Sequence, residues 1–204
     1  MQYDTSQKPT QQILDLAVKQ GVVRLHDLKP YGIPHSYLQQ MYEQGVLARS
    51  GRGMYTLADW APSENFSLAE TCRRVPDGIV CLKSALRFHE LGTQDPRQVW
   101  IAIHPKARLP RMGYPPRHVV RFSGPALLTG VEERLSPEGT IRVYRPAKTI
   151  VDCFRYRNKI GLDIALEALR DGWHSRKVTM DELWQYAKNL RISTVMQPYL
   201  ESLV

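Results

Sequence analysis

Five side chains that can hydrogen-bond or stack lie within six consecutive positions of the sequence: His35, Ser36, Tyr37, Gln39 and Gln40. A glutamine amide can make a bidentate contact with adenine, and a serine hydroxyl can reach a base or a phosphate. Pro34 suits the first turn of a helix, Leu38 and Met41 recur at the spacing of a buried face, and Gly45 is placed to end the segment. The segment is therefore a candidate for contacts with base edges. On an isolated helix the same residues would indicate only an exposed face.

A basic, glycine-bearing β-hairpin is predicted directly after this helix. Residues 46–49 and 54–57 have the composition of short strands, and the tip between them holds Ser50 and Arg52. Arg49, Ser50 and Arg52 are candidate contacts to the phosphate backbone, which supply affinity rather than sequence readout. The hairpin is the feature that favours nucleic acid as the partner of the preceding helix.

The residues before the hairpin predict an order of elements. Helices are expected at residues 13–18 and 25–29, and Gly21 ends the first of them. A short extended piece is expected between them at 22–23. Three short helices followed by a hairpin is the order of a winged helix-turn-helix, in which the third helix enters the major groove and the wing touches the backbone. Lys29 and Arg24 are weaker phosphate candidates here, because either can be an ordinary surface charge.

Charge is distributed unevenly along the 204-residue chain. The formal net charge is +8 at pH 7 and the pI is about 9.5, a balance that favours polyanionic partners. The first 65 residues hold six basic and six acidic residues, so the whole excess lies beyond them, concentrated at 97–121 and 142–159. Accessory phosphate contacts are expected there from Arg108, Arg111, Arg117, Arg121, Arg155 and Arg157. A solvated basic surface, or a surface for RNA or a nucleotide, is an alternative.

The sequence contains no residue pattern typical of catalysis. A metal-dependent nuclease needs carboxylates that converge on a divalent ion, but Glu132 and Glu133 are neighbours on a predicted strand and face opposite sides. His89 is not followed by the second histidine that a zinc-binding helix needs, and neither His104 nor His118 has a Cys or His at the spacing of metal ligands. We therefore predict no catalytic residue, no metal and no cofactor.

Two alternatives stay open for the second part of the chain. One is an enzyme that acts on nucleic acid or nucleotides through the basic C-terminal domain, which the missing carboxylate cluster disfavours. The other is a regulator of unrelated genes whose second domain senses a ligand, which would require an apolar pocket with a few converging polar groups.

Composition is ordinary for a soluble globular protein, with 43% hydrophobic and 24% charged residues. The three cysteines form no CxxC pair, so reduced and mostly buried thiols are expected. No apolar run approaches the ~18 residues of a spanning helix, and the first ten residues are polar. The chain is predicted to be cytoplasmic and to have no membrane partner.

The remaining pattern predicts an α+β fold in two domains, residues 1–62 and residues 63–204. The second domain is expected to begin with two helices, continue with strands and a hairpin, and end in helices. The predicted ranges are 66–74 and 82–91 (helices), 99–103 and 119–122 (strands), 131–144 (hairpin), and 147–156, 162–170, 180–190 and 193–203 (helices).

Two blocks of the second domain carry a family resemblance. The blocks are LKSALRFHEL at 82–91 and RPAKTIVDCFRYRNKIGLDIALEAL at 145–169, and both resemble signature segments of the AbiEi-type antitoxins. The resemblance extends over the whole chain, and the second block is its specific part. It implies an N-terminal winged helix-turn-helix DNA-binding domain followed by a mixed α/β C-terminal antitoxin domain.

The same resemblance implies a function and a partner. Such proteins are transcriptional autorepressors that bind inverted repeats of double-stranded DNA in their own promoter. They are also the antitoxins of bicistronic type IV toxin-antitoxin pairs in abortive infection by phage. The implied functional partner is a nucleotidyltransferase-like toxin of the AbiEii type, and no stable complex with it is expected. Within the second block, Lys148 and Asp152 are candidates by position only.

Overall fold

The chain divides into two compact units. The computed structural model describes residues 8–51, 53–60, 63–110 and 115–203. The first unit is Met1–Phe66 with Pro137–Gly139, and the second is Ser67–Ser136 with Thr140–Val204. Arg52 and Arg111 lie outside the described residues. That residues 1–62 and 63–204 are separate domains stays a prediction.

The first unit has the predicted order of a winged helix-turn-helix. Its elements are α1 (Pro9–Gln20), β1 (Val23–Arg24), a 3-10 helix (Leu25–Tyr31), α2 (Ser36–Glu43), β2 (Leu47–Gly51) and β3 (Met54–Leu57). The strands form an antiparallel sheet in the order β1-β3-β2, so the hairpin β2-β3 is joined to the helices through β1. Three helices followed by a wing is therefore confirmed as the architecture of this unit.

Two glycines end the helices of this unit, as the sequence predicts. Gly21 has a φ of +70°, and its N–H donates to the carbonyl of Ala17 at the end of α1. Gly45 has a φ of +71°, and the next N–H, that of Val46, returns to the carbonyl of Met41. Glycine suits both positions because a left-handed backbone costs it nothing sterically.

The core of the first unit is a single cluster formed by α1, α2 and the strands. Ile13, Leu28, Leu38, Met41 and Leu47 are buried in it. Arg24 is also buried, with 5% of its surface exposed, so its guanidinium does not serve as a surface phosphate contact. Lys29, in contrast, is exposed on the 3-10 helix.

The second unit is built on a five-stranded mixed sheet in the order β6-β5-β4-β8-β7. The strands are β4 (Ile79–Val80), β5 (Val99–Ile103), β6 (Arg117–Arg121), β7 (Val131–Ser136) and β8 (Gly139–Tyr144). Strand β4 pairs antiparallel with β5 and parallel with β8, and β5 pairs parallel with β6. The strand predicted at 119–122 therefore begins two residues earlier, as β6. The central strand β4 was not predicted.

Helices surround this sheet. They are α3 (Phe66–Arg74), α4 (Leu82–Phe88), α5 (Pro125–Leu128), α6 (Pro146–Arg155), α7 (Arg157–Ile160), α8 (Leu162–His174), α9 (Met180–Asn189) and α10 (Ser193–Glu201). One large core joins the sheet to α4, α6, α8, α9 and α10, and a smaller one joins it to α3. In α6 every residue from Ala147 to Phe154 is buried, so this helix is the centre of the helical layer. The α+β class is confirmed.

The three cysteines are reduced and buried, as the sequence predicts. Cys72, Cys81 and Cys153 are free thiols, and all three are buried. Burial raises the pKa of each thiol, so all three stay protonated at neutral pH. Across the described residues, no helix combines the length and the apolar character needed to cross a membrane.

Candidate nucleic-acid interface

A groove of about 890 Å³ lies between α2 and the hairpin β2-β3. It brings together five of the eight residues predicted on the helix and the wing, although they come from two separate segments. The groove is lined by His35, Ser36, Gln39, Gln40 and Arg49 of the predicted set, and also by Leu25, Glu43, Gly53 and Tyr55.

Helix α2 presents its polar residues because its other face is fixed in the core. Leu38 and Met41 are 0% and 1% exposed, respectively. Residues 36, 39, 40 and 43 recur at helical spacing on the opposite face, and all four are exposed. His35 is the residue before the first turn of α2 and is also exposed. This end of the helix is the part expected to meet base edges.

Tyr37 and Ser50 differ from the rest of the predicted set. Tyr37 is half-buried and packs against the core cluster of the first unit. Ser50 is exposed on β2 but does not line the groove. Arg52 lies outside the described residues.

The wing is held in place by strand pairing and aromatic packing. Arg49 is opposite Tyr55 in the antiparallel pair β2-β3, and the pairing shifts by one residue between Arg49 and Gly51. Tyr55 is buried, with its ring edge-on to that of Tyr42 at 6.3 Å between centroids. Gly53 adopts a φ of +69°, which favours glycine at the turn. The base of the wing is therefore anchored to α2, and Arg49 projects from it into solvent.

Glu43 is the groove residue of most chemical consequence that sequence reasoning missed. Its Oε1 accepts a hydrogen bond of 2.8 Å from Gln39 Nε2, one helical turn earlier. A carboxylate repels phosphates, but it can accept a hydrogen bond from the cytosine amino group. The spacing of Gln39 and Glu43 was the available signal, because glutamine and a carboxylate four residues apart interact on a helix.

Three of the basic residues predicted to contact phosphates from the second unit donate hydrogen bonds to backbone carbonyls. Arg117 Nη2 donates to Pro110 O at 2.6 Å, and Arg157 Nη1 donates to Phe154 O at 3.0 Å. Arg121 Nη1 donates to the carbonyls of His104, Pro105 and Ala107. Arg108 is exposed, and Arg111 is outside the described residues. These bonds fix where each charge sits without neutralising it.

Arg155 is used inside the second unit. Its side chain is 30% exposed, its Nη1 lies 3.5 Å from Asp152 Oδ1, and its guanidinium sits 5.4 Å from the ring centroid of Phe122. Residues three apart are neighbours on the surface of a helix, so Asp152 and Arg155 of α6 lie side by side.

A buried charge pair occupies the centre of the second unit. The side chains of Lys148 and Asp152 are both fully buried, and Lys148 Nζ donates to Asp152 Oδ2 and, at 3.1 Å, to Ala126 O. The Lys148 ammonium also lies 4.0 Å from the ring centroid of Tyr144. Burial raises the pKa of the Asp152 carboxyl and lowers the pKa of the Lys148 ammonium, while each charge opposes the shift of the other. Because neither side chain has any exposed surface, the position of the pair indicates a structural role.

The carboxylates of the β7 strand are engaged by arginines. Glu132 accepts from Arg134 Nε at 3.2 Å, and Glu133 lies 3.7 Å from Arg142 Nε. Their side chains are 15% and 67% exposed, respectively, as expected for strand neighbours that face opposite sides. Within the described ranges, no group of three His, Cys, Asp or Glu residues is placed to hold a metal ion.

Comparisons with known proteins find a family match within the first unit. Residues 11–58, which run from α1 to the end of the wing, match the transcriptional regulators known as AbiEi antitoxins. This match confirms the resemblance, although the blocks at 82–91 and 145–169 lie outside it. The crystal structure of the RV2827C protein from Mycobacterium tuberculosis is similar to this chain, with a TM-score of 0.61 and 15% identity. The similarity covers 94% of this chain and 77% of that one, and at this identity it shows the fold alone. No curated protein matches the sequence.

Proposed function

We propose that this chain, whose residues 11–58 match the AbiEi antitoxin transcriptional regulators, represses its own operon and acts as the antitoxin of a toxin-antitoxin pair. The observation that carries the proposal is the groove between α2 and the wing, which lies within the matched residues and collects exposed amide, hydroxyl, imidazole and guanidinium groups. These groups are the types that contact base edges and phosphates in a major-groove complex.

In the proposed complex α2 enters the major groove. Ser36, Gln39 and Gln40 contact base edges, and His35 lies beside them at the start of the helix. Tyr37 fixes the helix against the core and is proposed to contact DNA beside these residues. Arg49, Ser50 and Arg52 contact the phosphate backbone from the wing. Inverted repeats in the promoter of the operon are the proposed target.

The second unit is proposed to add phosphate contacts, because it holds the entire excess of positive charge. Arg108, Arg117 and Arg121 are its exposed or half-buried candidates, and Arg157 has a fixed but accessible charge. Lys29 and Arg111 complete the proposed set. Each phosphate contact that forms makes binding more dependent on salt.

The antitoxin role is proposed for the same protein in the cytoplasm. The functional partner is a nucleotidyltransferase-like toxin of the AbiEii type encoded beside it, with no stable complex between the two. The protein itself is proposed to catalyse no reaction and to need no cofactor. Toxin and antitoxin would then act on a shared cellular target rather than on each other.

Binding of the purified full-length protein to the DNA upstream of its gene tests the repressor proposal. We expect Gln39→Ala and Gln40→Ala to weaken operator binding by at least about fivefold and to relax its sequence preference, because they remove base-edge contacts. Arg170→Ala is the matched control, since Arg170 is exposed on α8 and belongs to no proposed contact set. Binding that is equally strong to operator and to scrambled DNA would overturn the proposal.

Co-expression with the neighbouring toxin gene tests the antitoxin proposal separately. Growth should be restored by the wild-type chain and by the Gln39→Ala/Gln40→Ala double variant when both are expressed from an unrelated promoter. Failure of the wild-type chain to restore growth would overturn the antitoxin role and leave the repressor role standing.

A further inference from the structure

A second cavity lies within the second unit beside β6, and it shares no lining residue with the groove between α2 and the wing. Its volume is about 310 Å³, at the lower end of the ~300–1,000 Å³ typical of small-molecule sites. Four consecutive residues of β6, His118–Arg121, form one side of it. Trp100 of β5, Tyr156 and Lys159 complete the lining.

The cavity contains a stacked pair of aromatic rings. Trp100 and His118 are register partners on adjacent parallel strands, and their rings are stacked with 3.9 Å between centroids and 28° between planes. Trp100 is half-buried against the main core, whereas His118 is exposed. Tyr156 is half-buried and packs against Phe122, which fixes the opposite side. A planar base can stack on such side chains because every base has a π-face.

The charges around the stacked rings are all positive. Lys159 Nζ lies 5.3 Å from the ring centroid of Tyr156, and Lys83 Nζ lies 5.9 Å from that of Trp100. Arg121 also lines the cavity, and its guanidinium is engaged by the carbonyls of His104, Pro105 and Ala107. No carboxylate is among the lining residues. Aromatic rings bordered by cations alone suit a ligand that is both planar and anionic.

The strand edge supplies the remaining recognition chemistry. In the described part of the sheet β6 is the last strand on its side, so its backbone pairs with β5 alone. The outer N–H and C=O groups of an edge strand are open to pairing. Such groups are suited to the hydrogen-bonding edge of a nucleobase, which presents both donors and acceptors.

We propose that this cavity binds a nucleotide. The base stacks on the open face of His118, whose other face lies against Trp100, its edge meets the backbone of β6, and the phosphates are held by Lys159. A free nucleoside triphosphate and the end of a single-stranded RNA share this chemistry, and the volume favours a single nucleotide unit. The site is independent of operator binding by α2 and the wing.

The proposal is tested by titration of the full-length protein with ATP, GTP, CTP and UTP. Binding is measured by calorimetry and by the quenching of tryptophan fluorescence. We expect saturable binding of at least one of these nucleotides with a dissociation constant of about 1 mM or tighter. His118→Ala and Lys159→Ala should each weaken it by about tenfold, because they remove a stacking partner and a phosphate contact. Lys188→Ala, at an exposed lysine of α9 outside the cavity, should leave binding unchanged.

Two further probes distinguish a free nucleotide from the end of an RNA and define the results that would contradict the proposal. A ten-nucleotide single-stranded RNA that binds more tightly than any free nucleotide, with the same loss in His118→Ala, supports the site with RNA as its source. Inorganic triphosphate should bind more weakly than the best nucleotide, because it cannot stack. Binding of triphosphate and nucleotide with equal affinity, insensitivity to His118→Ala, or no saturable binding of any probe would each overturn the proposal. Circular dichroism and the retained operator binding of each variant show that the fold is intact.

Discussion

Gln39 Nε2 donates a hydrogen bond of 2.8 Å to Glu43 Oε1 on the exposed face of α2. The bond commits one amide hydrogen and turns the Gln39 side chain along the helix. The Glu43 carboxylate also places a negative charge in a groove that is proposed to lie against DNA. A carboxylate at this position opposes indiscriminate binding, because it is tolerated only where its neighbours on the DNA satisfy it.

Substitution of Glu43 by glutamine should therefore raise affinity and lower discrimination. We expect Glu43→Gln to bind scrambled duplex DNA several-fold more tightly at low salt, with a smaller ratio of operator to non-specific affinity. Fluorescence anisotropy with both duplexes measures the two quantities. The matched control is Glu201→Gln, because Glu201 accepts the same kind of bond from Gln197 on α10, at 2.7 Å. An unchanged affinity ratio in Glu43→Gln would show that the carboxylate takes no part in discrimination.

Arg49 of the wing should contribute to affinity without selecting sequence. Because a phosphate contact releases a counterion, Arg49→Ala should reduce the slope of log K against log salt by about 1 and weaken operator and scrambled duplexes alike. The measurement is a salt series on both duplexes, with Arg170→Ala beside it. A loss confined to the operator would instead assign Arg49 to base readout.

The polar face of α2 was predictable because local pattern determines it. Leu38 and Met41 mark the buried side by their spacing, and Gly45 marks the end of the helix, so the exposed positions follow by geometry. The rest of the groove was not predictable in this way. Leu25 and Tyr55 reach it only through the pairing of β1, β2 and β3, which joins residues distant in sequence.

The second unit shows the same limit more strongly. Strand β4 has two residues, too few to show alternation, and it is fixed by partners on both sides in β5 and β8. Lys148 and Asp152 are charged residues of the kind expected on an exposed helix face. They are buried because α6 is enclosed on all sides and because Ala126 and Tyr144 come from other elements.

The buried pair of Lys148 and Asp152 should behave as a unit in stability measurements. We expect Asp152→Leu to lower the free energy of unfolding by ~3–5 kcal/mol, because it leaves the Lys148 ammonium buried without a counter-charge. Lys148→Met should lower it by less, because Arg155 Nη1 still lies 3.5 Å from Asp152 Oδ1. The double variant should recover much of this loss, since burial of two charges is itself unfavourable. Urea unfolding of the full-length protein, followed by far-UV circular dichroism, gives the double-mutant cycle. Additive losses would show that the two side chains are not coupled.

His89 should make the stability of the second unit depend on pH. Its Nε2 is 2.7 Å from Tyr144 O, and because a carbonyl accepts, the nitrogen carries the hydrogen. Burial lowers the pKa of His89 in the folded state, and the bond to the Tyr144 carbonyl opposes that shift. As the pH falls below the unfolded value of about 6.5, the unfolded chain binds a proton that the folded chain does not. The free energy of unfolding should thus decrease between that value and the lower, folded pKa.

Substitution by glutamine isolates this contribution, because its amide can donate the same bond to Tyr144 and does not titrate. His89→Gln should lose less free energy of unfolding than the wild-type protein when the pH is lowered from about 7.5 to about 5.5. His174→Gln is the matched control for loss of an imidazole, since His174 is exposed on α8 of the same unit. Urea unfolding at each pH measures the difference. If His89→Gln lost as much free energy of unfolding as the wild type, the pH dependence would come from other groups. The His89 imidazole would then accept its proton as readily in the folded protein as in the unfolded chain.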